Sequence, residues 1–221
     1  MLDPTLFDPT LYLVTNSDGH KEADFLDIIA KACEGGVTMV QLREKERSGH
    51  NYYELALKVK KVTDRYNVPL IIDDRIDIAL VADAAGVHLG QEDLPVASAR
   101  KIMGAGKIIG ATTKTVEAAL AAQKAGANYL GVGAIYPTTT KVKTVLTSVD
   151  TLKDIVQNVN IPVVAIGGLN AENLNVLYGS GFAGVAVVTA IMNSKNPKET
   201  AGFLRQMIQS LGALPQTPDA F

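Results

Sequence analysis

The stretch Pro69-Leu70-Ile71-Ile72-Asp73-Asp74-Arg75 carries the pattern that decides the fold of this chain. Its proline stops the preceding segment without removing a hydrogen bond from a strand interior. Three consecutive apolar residues follow, and charged residues close the run. A strand apolar on both faces is buried on both faces, as a parallel sheet requires. The pattern recurs, and predicts strands at Leu11–Thr15, Thr38–Leu42, Leu70–Ile72, Val87–Leu89, Lys107–Gly110, Tyr129–Val132, Val163–Ile166 and Gly184–Val188. Between them, apolar residues recurring at three and four predict helices such as Asp24–Cys33, Tyr52–Tyr66, Val116–Lys124 and Leu152–Asn158. A further helical pattern, Lys198–Leu211, closes the eighth unit. Glycines at Gly35-Gly36, Gly86, Gly126 and Gly179-Ser180-Gly181 fall just before strands, where a left-handed residue ends a helix.

Eight strand–helix units of about 25 residues predict one α/β domain, a (β/α)8 TIM barrel over residues 1–221. Residues 1–10 read as an N-terminal extension and 213–221 as a flexible tail. An open doubly wound sheet is the alternative. Its glycine-rich first turn is missing, because the chain has Thr15-Asn16-Ser17-Asp18-Gly19-His20 there.

Composition narrows the function. With 47% hydrophobic and 20% charged residues, 221 residues can bury a substantial core. A formal net charge of -2 gives no electrostatic case for nucleic acid or an anionic membrane. Any anion must be held by local cations and backbone amides. The single cysteine, Cys33, excludes an intrachain disulfide and a cysteine metal site, and reads as a small buried hydrophobe. The three histidines, His20, His50 and His88, are too scattered to suggest zinc or iron chemistry. His88, between Val87 and Leu89, reads as a packed core residue. No apolar run reaches the length of a membrane span, and MLDPTLFDPT lacks the basic-then-apolar character of a signal peptide. A cytoplasmic location is expected.

In such a barrel the working residues stand where strands end. After the second strand, Gln41-Leu42-Arg43-Glu44-Lys45 puts Gln41, Arg43 and Lys45 on one side and Leu42 on the other. A solvated charged loop explains the same residues as well. Asp73 and Asp74 follow the third strand, where either one, or Asp77, serves equally as a helix cap. Asp93 follows the fourth strand. Carboxylates from neighbouring strands without histidine or cysteine suit a hard cation such as Mg2+, which also takes phosphate oxygens. Thr112 and Thr113 follow the fifth strand, and Pro137-Thr138-Thr139-Thr140-Lys141 the sixth, a hydroxyl-and-ammonium set suited to phosphate. Gly167-Gly168 and Val188-Thr189 follow the last two strands, the recurrent phosphate position of this fold. Tyr136 lines the mouth or packs beneath it.

Taken together, Tyr12–Thr15, Gln41–Lys45, Ile71–Arg75, Gly86–Gln91 with Asp93, Gly131–Gly133 leading to Pro137–Lys141, Ile166–Gly168 and Val187–Ile191 resemble the thiamine-phosphate synthase family. The resemblance spans almost the whole chain. It implies a magnesium-dependent transferase that joins a pyrimidine methyl diphosphate to a thiazole phosphate and releases diphosphate. The implied pyrimidine diphosphate contacts are Gln41, Leu42, Arg43, Glu44, Lys45, Asp73, Thr112 and Lys141, with Arg43, Lys45 and Lys141 catalytic. The implied metal ligands are Asp74 and Asp93. Thiazole phosphate contacts fall on Thr138, Thr139, Thr140, Gly168, Val188 and Thr189.

Three departures stand out. Asp73 replaces an asparagine common in the family, and a carboxylate cannot donate to an anion. It is therefore expected to meet the diphosphate through magnesium or water, or in protonated form. Thr112 and Thr189 replace serines and keep the hydroxyl. The competing readings are a thiazole tautomerase-like isomerase on the same barrel, lacking the full diphosphate set, and a non-catalytic binder of phosphate ligands. Small-molecule substrates, no nucleic acid, no membrane and a possible homodimer complete the expectations.

Overall fold

Apolar runs too short to bury themselves pair side by side, and the last pairs with the first. In the computed structural model, which describes residues 7–138 and 145–212, the strands are β1 (Leu11–Val14), β2 (Met39–Leu42), β3 (Leu70–Asp73), β4 (Gly86–Leu89), β5 (Ile108–Thr113), β6 (Tyr129–Gly133), β7 (Val163–Ile166) and β8 (Gly184–Val187). They form a closed barrel in sequence order. Each pair is parallel, and β1 closes on β8 with Leu13 opposite Val187. The helices are α1 (Glu22–Glu34), α2 (Gly49–Asp64), α3 (Ile76–Val81), α4 (Val96–Met103), α5 (Val116–Lys124), α6 (Val149–Asn158), α7 (Thr189–Met192) and α8 (Pro197–Ser210). The TIM barrel expected from the strand–helix repeat is the fold.

Alternation along each strand makes two cores. Leu13, Leu42, Ile72, Val87, Leu130 and Val185 point outward and pack under the helices. Tyr12, Met39, Ile71, Ile108, Tyr129 and Val164 fill the barrel interior. Phe7, inside the expected extension, packs edge-on against Tyr129 with ring centroids 5.6 Å apart. Helix starts are set locally. Ser48, Thr115 and Ser148 accept hydrogen bonds from Asn51, Ala118 and Thr151 amides, each cap stabilising by about 1 kcal/mol.

Three details differ from the sequence reading. β5 runs on to Thr113, so Thr112 lies inside a strand rather than in the loop after it. Gly86 is not a helix terminator; it belongs to β4, where a Cβ would lie 2.0 Å from the Ile108 carbonyl oxygen. The seventh unit has only a 3-10 turn, Leu174–Leu177, in place of a helix. Its asparagines explain this. Asn173 Oδ1 accepts from the Asn170 amide, and Asn170 Oδ1 accepts from the Glu172 amide. Side chains that take up backbone donors in this way compete with helix formation.

The interior depends on a missing side chain. A Cβ at Gly110 would lie 2.1 Å from Tyr129 Cζ and 2.5 Å from His88 Nδ1. Gly110→Ala is therefore expected to cost about 1–3 kcal/mol of stability by overpacking. Urea unfolding measures it, and an unchanged midpoint would show that the two rings have room to move.

Candidate active site

A cavity opens at the C-terminal mouth of the barrel, lined by residues from the ends of the strands and the loops that follow. Its charged wall begins on β2. Gln41, Arg43 and Lys45 face the cavity, as their spacing of two dictates. Leu42 and Glu44, expected among the pyrimidine diphosphate contacts, are not among the residues whose side chains line it. Leu42 is fully buried in the outer core, and its carbonyl accepts from the Tyr52 hydroxyl at 2.7 Å. Glu44 Oε2 accepts from Ser17 Oγ at 2.8 Å and from Arg47 Nε at 2.5 Å. Both belong to the opposite face of the same extended segment.

Lys45 meets carboxylates from β3 and its loop. Its Nζ lies 2.9 Å from Asp73 Oδ2 and also donates to Asp74 Oδ2. Arg43 Nε lies 3.8 Å from the same Asp73 oxygen. Asp73 thus meets two cations, which answers the burial of a carboxylate at this position. Burial works against the Lys45 ammonium, yet Asp73 and Asp74 outweigh it and hold its pKa above the ordinary lysine value. Neither aspartate caps α3, whose N-cap is Arg75 without a side-chain bond, and Asp77 is held by Arg75 Nε at 2.8 Å. Asp74 instead adopts a left-handed backbone at φ 60, which aspartate tolerates better than most residues. Its amide donates to the His88 carbonyl at 2.9 Å, turning the carboxylate toward the mouth.

Asp93 reaches the same place from the loop after β4, where its Oδ2 accepts from the Gly90 amide at 2.7 Å. Burial first, and then the neighbouring Asp74 carboxyl, push the Asp93 pKa up, against the pull of the Gly90 amide. Two carboxylates that crowd one another in this way form a site that a cation would relieve. Among the described residues, no group of three or more His, Cys, Asp or Glu side chains converges as a full metal cage. Asp74 and Asp93 fit a hard divalent ion that takes its remaining oxygens from substrate and water.

The far wall is built from backbone. Gly167 and Gly168 have φ of 104 and 64, and a Cβ on Gly168 would lie 2.7 Å from the Pro137 carbonyl oxygen. Asn173 Nδ2 donates to the Gly168 carbonyl at 2.9 Å, bracing the loop. Val188 and Thr189, where β8 gives way to α7, and Thr138 complete this side. Thr139, Thr140 and Lys141, expected at the mouth, lie outside the described residues. Lys114, which the sequence reading passed over, also lines the cavity, and its Nζ donates to the Val145 carbonyl at 2.8 Å. It stands two residues beyond Thr112, so alternation extended by one step would have found it.

The floor holds a larger surprise. His88, expected to pack in the core, faces the cavity. Its Nε2 lies 2.9 Å from Thr112 Oγ1, and its Nδ1 lies 3.0 Å from the Tyr129 hydroxyl. The Tyr129 hydroxyl is 2.8 Å from that of Tyr12, which accepts from Gln41 Nε2 at 2.8 Å. Period-two counting on β4 pairs His88 with Asp73 of β3 and gives the inward direction. Burial pushes the imidazole pKa down to about 4; Asp93 opposes this and Lys45 adds to it.

That shift has a consequence for stability. Above the ordinary imidazole value of 6.5 the ring is neutral in both folded and unfolded chains. Between 6.5 and about 4 only the unfolded chain takes the proton, so stability falls as pH falls, and the loss is complete below about 4. The ring faces the cavity, so the loss is expected to reach about 2 kcal/mol rather than the full linkage value. Denaturation from pH 7 to pH 4.5 should show a smaller loss in His88→Gln than in the wild type. Parallel curves would rule the depressed pKa out.

Comparison with known proteins identifies the family. The family model described as Thiamine monophosphate synthase matches residues 11–191. Thiamine-phosphate synthase 2 of Streptococcus pneumoniae is 54% identical over 198 residues, which are 89% of this chain and 94% of the relative. Thiamine-phosphate synthase of Lacticaseibacillus paracasei is 52% identical, covering 92% of this chain and 96% of the relative. The solved structure of thiamine phosphate pyrophosphorylase from Pyrococcus furiosus superposes with a TM-score of 0.83 at 35% identity, covering 92% of this chain and 96% of that one. A barrel with a cation-and-carboxylate wall on one side of its mouth and a glycine loop on the other, matched over nearly all of its length, leaves one assignment: this chain belongs to the thiamine monophosphate synthase family.

Proposed function

We propose that the enzyme condenses 4-amino-2-methyl-5-(diphosphooxymethyl)pyrimidine with 4-methyl-5-(2-phosphooxyethyl)thiazole to give thiamine phosphate and diphosphate. The single observation that carries this reading is the convergence of Arg43 and Lys45 with Asp74 and Asp93 on one side of a cavity whose other side is a glycine-lined loop. The first set suits a diphosphate with its metal, and the second a phosphate monoester. The relatives matched over about nine-tenths of the chain are named as synthases, which does not favour the tautomerase alternative.

In this reading the pyrimidine–CH2–O bond breaks and its electron pair leaves with the diphosphate. The resulting methylene cation is stabilised by the aminopyrimidine ring, and the thiazole nitrogen lone pair then forms the new C–N bond. No protein nucleophile is needed. The side chains hold the leaving group and align the acceptor, and preorganised charge of this kind does most of the work in such reactions. Arg43 and Lys45 neutralise the departing oxygens, with Lys141 added to them. Asp74 and Asp93 would hold Mg2+, which when bound supplies positive charge to the leaving diphosphate. Charge balance supports this assignment. Asp73, Asp74 and Asp93 offset Arg43, Lys45 and Lys114 around the cavity, so a multiply charged anion needs further positive charge. The loops carrying Gly168, Val188, Thr189 and Thr138, with Thr139 and Thr140, take the thiazole phosphate. Among the described residues no helix is long and apolar enough to cross a membrane.

Two experiments test this. Purified protein given both phosphorylated substrates and Mg2+ should release thiamine phosphate and diphosphate in equal amounts, and a chelator should stop it; no product with Mg2+ overturns the assignment. Asp73 shares Lys45 and Arg43 with the incoming diphosphate, so its carboxylate competes with substrate. Asp73→Asn should keep kcat within about threefold and lower the KM for the pyrimidine diphosphate, within the tenfold that one such contact typically moves. A hundredfold loss of kcat would make Asp73 a required carboxylate instead.

A further inference from the structure

Beneath the cavity lies an unbroken row of hydrogen bonds that the reaction chemistry above does not use. It runs from Gln41 Nε2 to the Tyr12 hydroxyl (2.8 Å), then to the Tyr129 hydroxyl (2.8 Å), His88 Nδ1 (3.0 Å) and, from His88 Nε2, to Thr112 Oγ1 (2.9 Å). Its two ends, Gln41 and Thr112, both line the cavity. Its middle is buried: Tyr12 and Tyr129 are almost without exposure, and burial raises both phenols well above the ordinary tyrosine value, so they stay protonated.

Such a row can carry its protons in only one sense at a time, because each hydroxyl has one hydrogen to give. Gln41 donates to Tyr12, and among the described residues the acceptor within reach of the buried Tyr12 hydrogen is the Tyr129 hydroxyl, so that hydrogen goes on to Tyr129 rather than stay unmet. Tyr129 then donates to His88 Nδ1, which must be unprotonated. A neutral imidazole with a bare Nδ1 carries its proton on Nε2, and that proton goes to Thr112. The Thr112 oxygen thereby accepts from His88, and its own hydrogen is left to point into the cavity. At the opposite end, Gln41 spends an N–H on Tyr12 and keeps its carbonyl oxygen as an acceptor. Glycines enforce the row. Gly110 leaves the space that Tyr129 and His88 occupy, and a Cβ at Gly131 would lie 3.1 Å from the His88 ring.

We propose that Tyr12 and Tyr129 are positioning residues that fix the donor and acceptor sense of Gln41 and Thr112, and thereby select an amino-substituted pyrimidine over its oxo counterpart. This deepens the assignment above and rests on it. A 4-aminopyrimidine edge offers N–H donors beside a ring-nitrogen acceptor. The acceptor at Gln41 and the donor at Thr112 complement that edge. A 4-oxo ring presents a carbonyl and a ring N–H in their place, opposite in sense at both positions. A site built to hydrogen-bond one pattern discriminates strongly against the other, because its buried groups are left facing their own kind.

The test uses the full chain with Mg2+ and compares the aminopyrimidine diphosphate with its 4-oxo analogue. Wild type should prefer the amino substrate by roughly a thousandfold or more in kcat/KM. In Tyr129→Phe that ratio should fall at least tenfold, while the KM for the thiazole phosphate stays unchanged. Tyr12→Phe, one link further along, should lower the ratio in the same direction. The 15N shifts of the His88 ring in the wild type should report a neutral Nε2–H tautomer, changing to a mixture in Tyr129→Phe. A retained amino/oxo ratio in both variants, or an Nδ1–H tautomer in the wild type, overturns the proposal. Should Tyr129→Phe not fold, Tyr12→Phe and the wild-type tautomer decide it. A wild type that makes no product from the amino substrate removes the synthase assignment instead, and the tautomer still reports on the row by itself.

Discussion

Closure of the sheet between β1 and β8 is the constraint on which the rest of this structure depends. With Leu13 opposite Val187, no strand has a free edge, and every strand has an inside and an outside. All the C-terminal ends then open at one mouth. Residues from β2, β3, β4 and β5, separated by up to about seventy positions in sequence, become neighbours around one cavity without any loop having to travel. Parallel strands in sequence order also give the two walls of the mouth their different characters. Charged side chains come from β2 to β4, and glycine backbone from β7.

The protein meets an anion without a favourable net charge. A formal charge of -2 offers no long-range attraction, so the work falls to a few ion pairs arranged in advance. Lys45 sits between Asp73 and Asp74, and Arg43 stands beside Asp73. Partners held this way are already desolvated and oriented, so less side-chain freedom is lost when a ligand exchanges with one of them. Aspartate at position 73 has a clear electrostatic explanation: it neutralises two cations that would otherwise repel each other. Sequence alone leaves magnesium, water or protonation open for this residue, whereas the structure pairs it directly with Lys45.

Rigidity beneath the site has a different source. The hydrogen-bonded row across the floor lies among apolar residues, where an unmet polar group costs about 1–3 kcal/mol and every member therefore needs its neighbours. Glycines at 110 and 131 are part of the same design, since the rings fill the volume those positions leave. Phe7 packs on Tyr129 from below and supports that ring. The floor, unlike the ion pairs of the wall, has little room to rearrange.

The sequence by itself determined the barrel, the order of its units and the charged face of Gln41, Arg43 and Lys45. Apolar periodicity and residue spacing are local properties, and they translate directly into strand, helix and side-chain direction. The same alternation, applied through Leu42, Glu44, His88 and Lys114, would have separated those that face the cavity from those that do not. Only the tertiary structure decided which groups meet. That Asp74 turns through a left-handed residue toward Asp93, that Asp77 is taken by Arg75, and that Tyr12, Tyr129, His88 and Thr112 join in one row all depend on the register between strands. Register is set by closure of the whole sheet, and no single segment contains it.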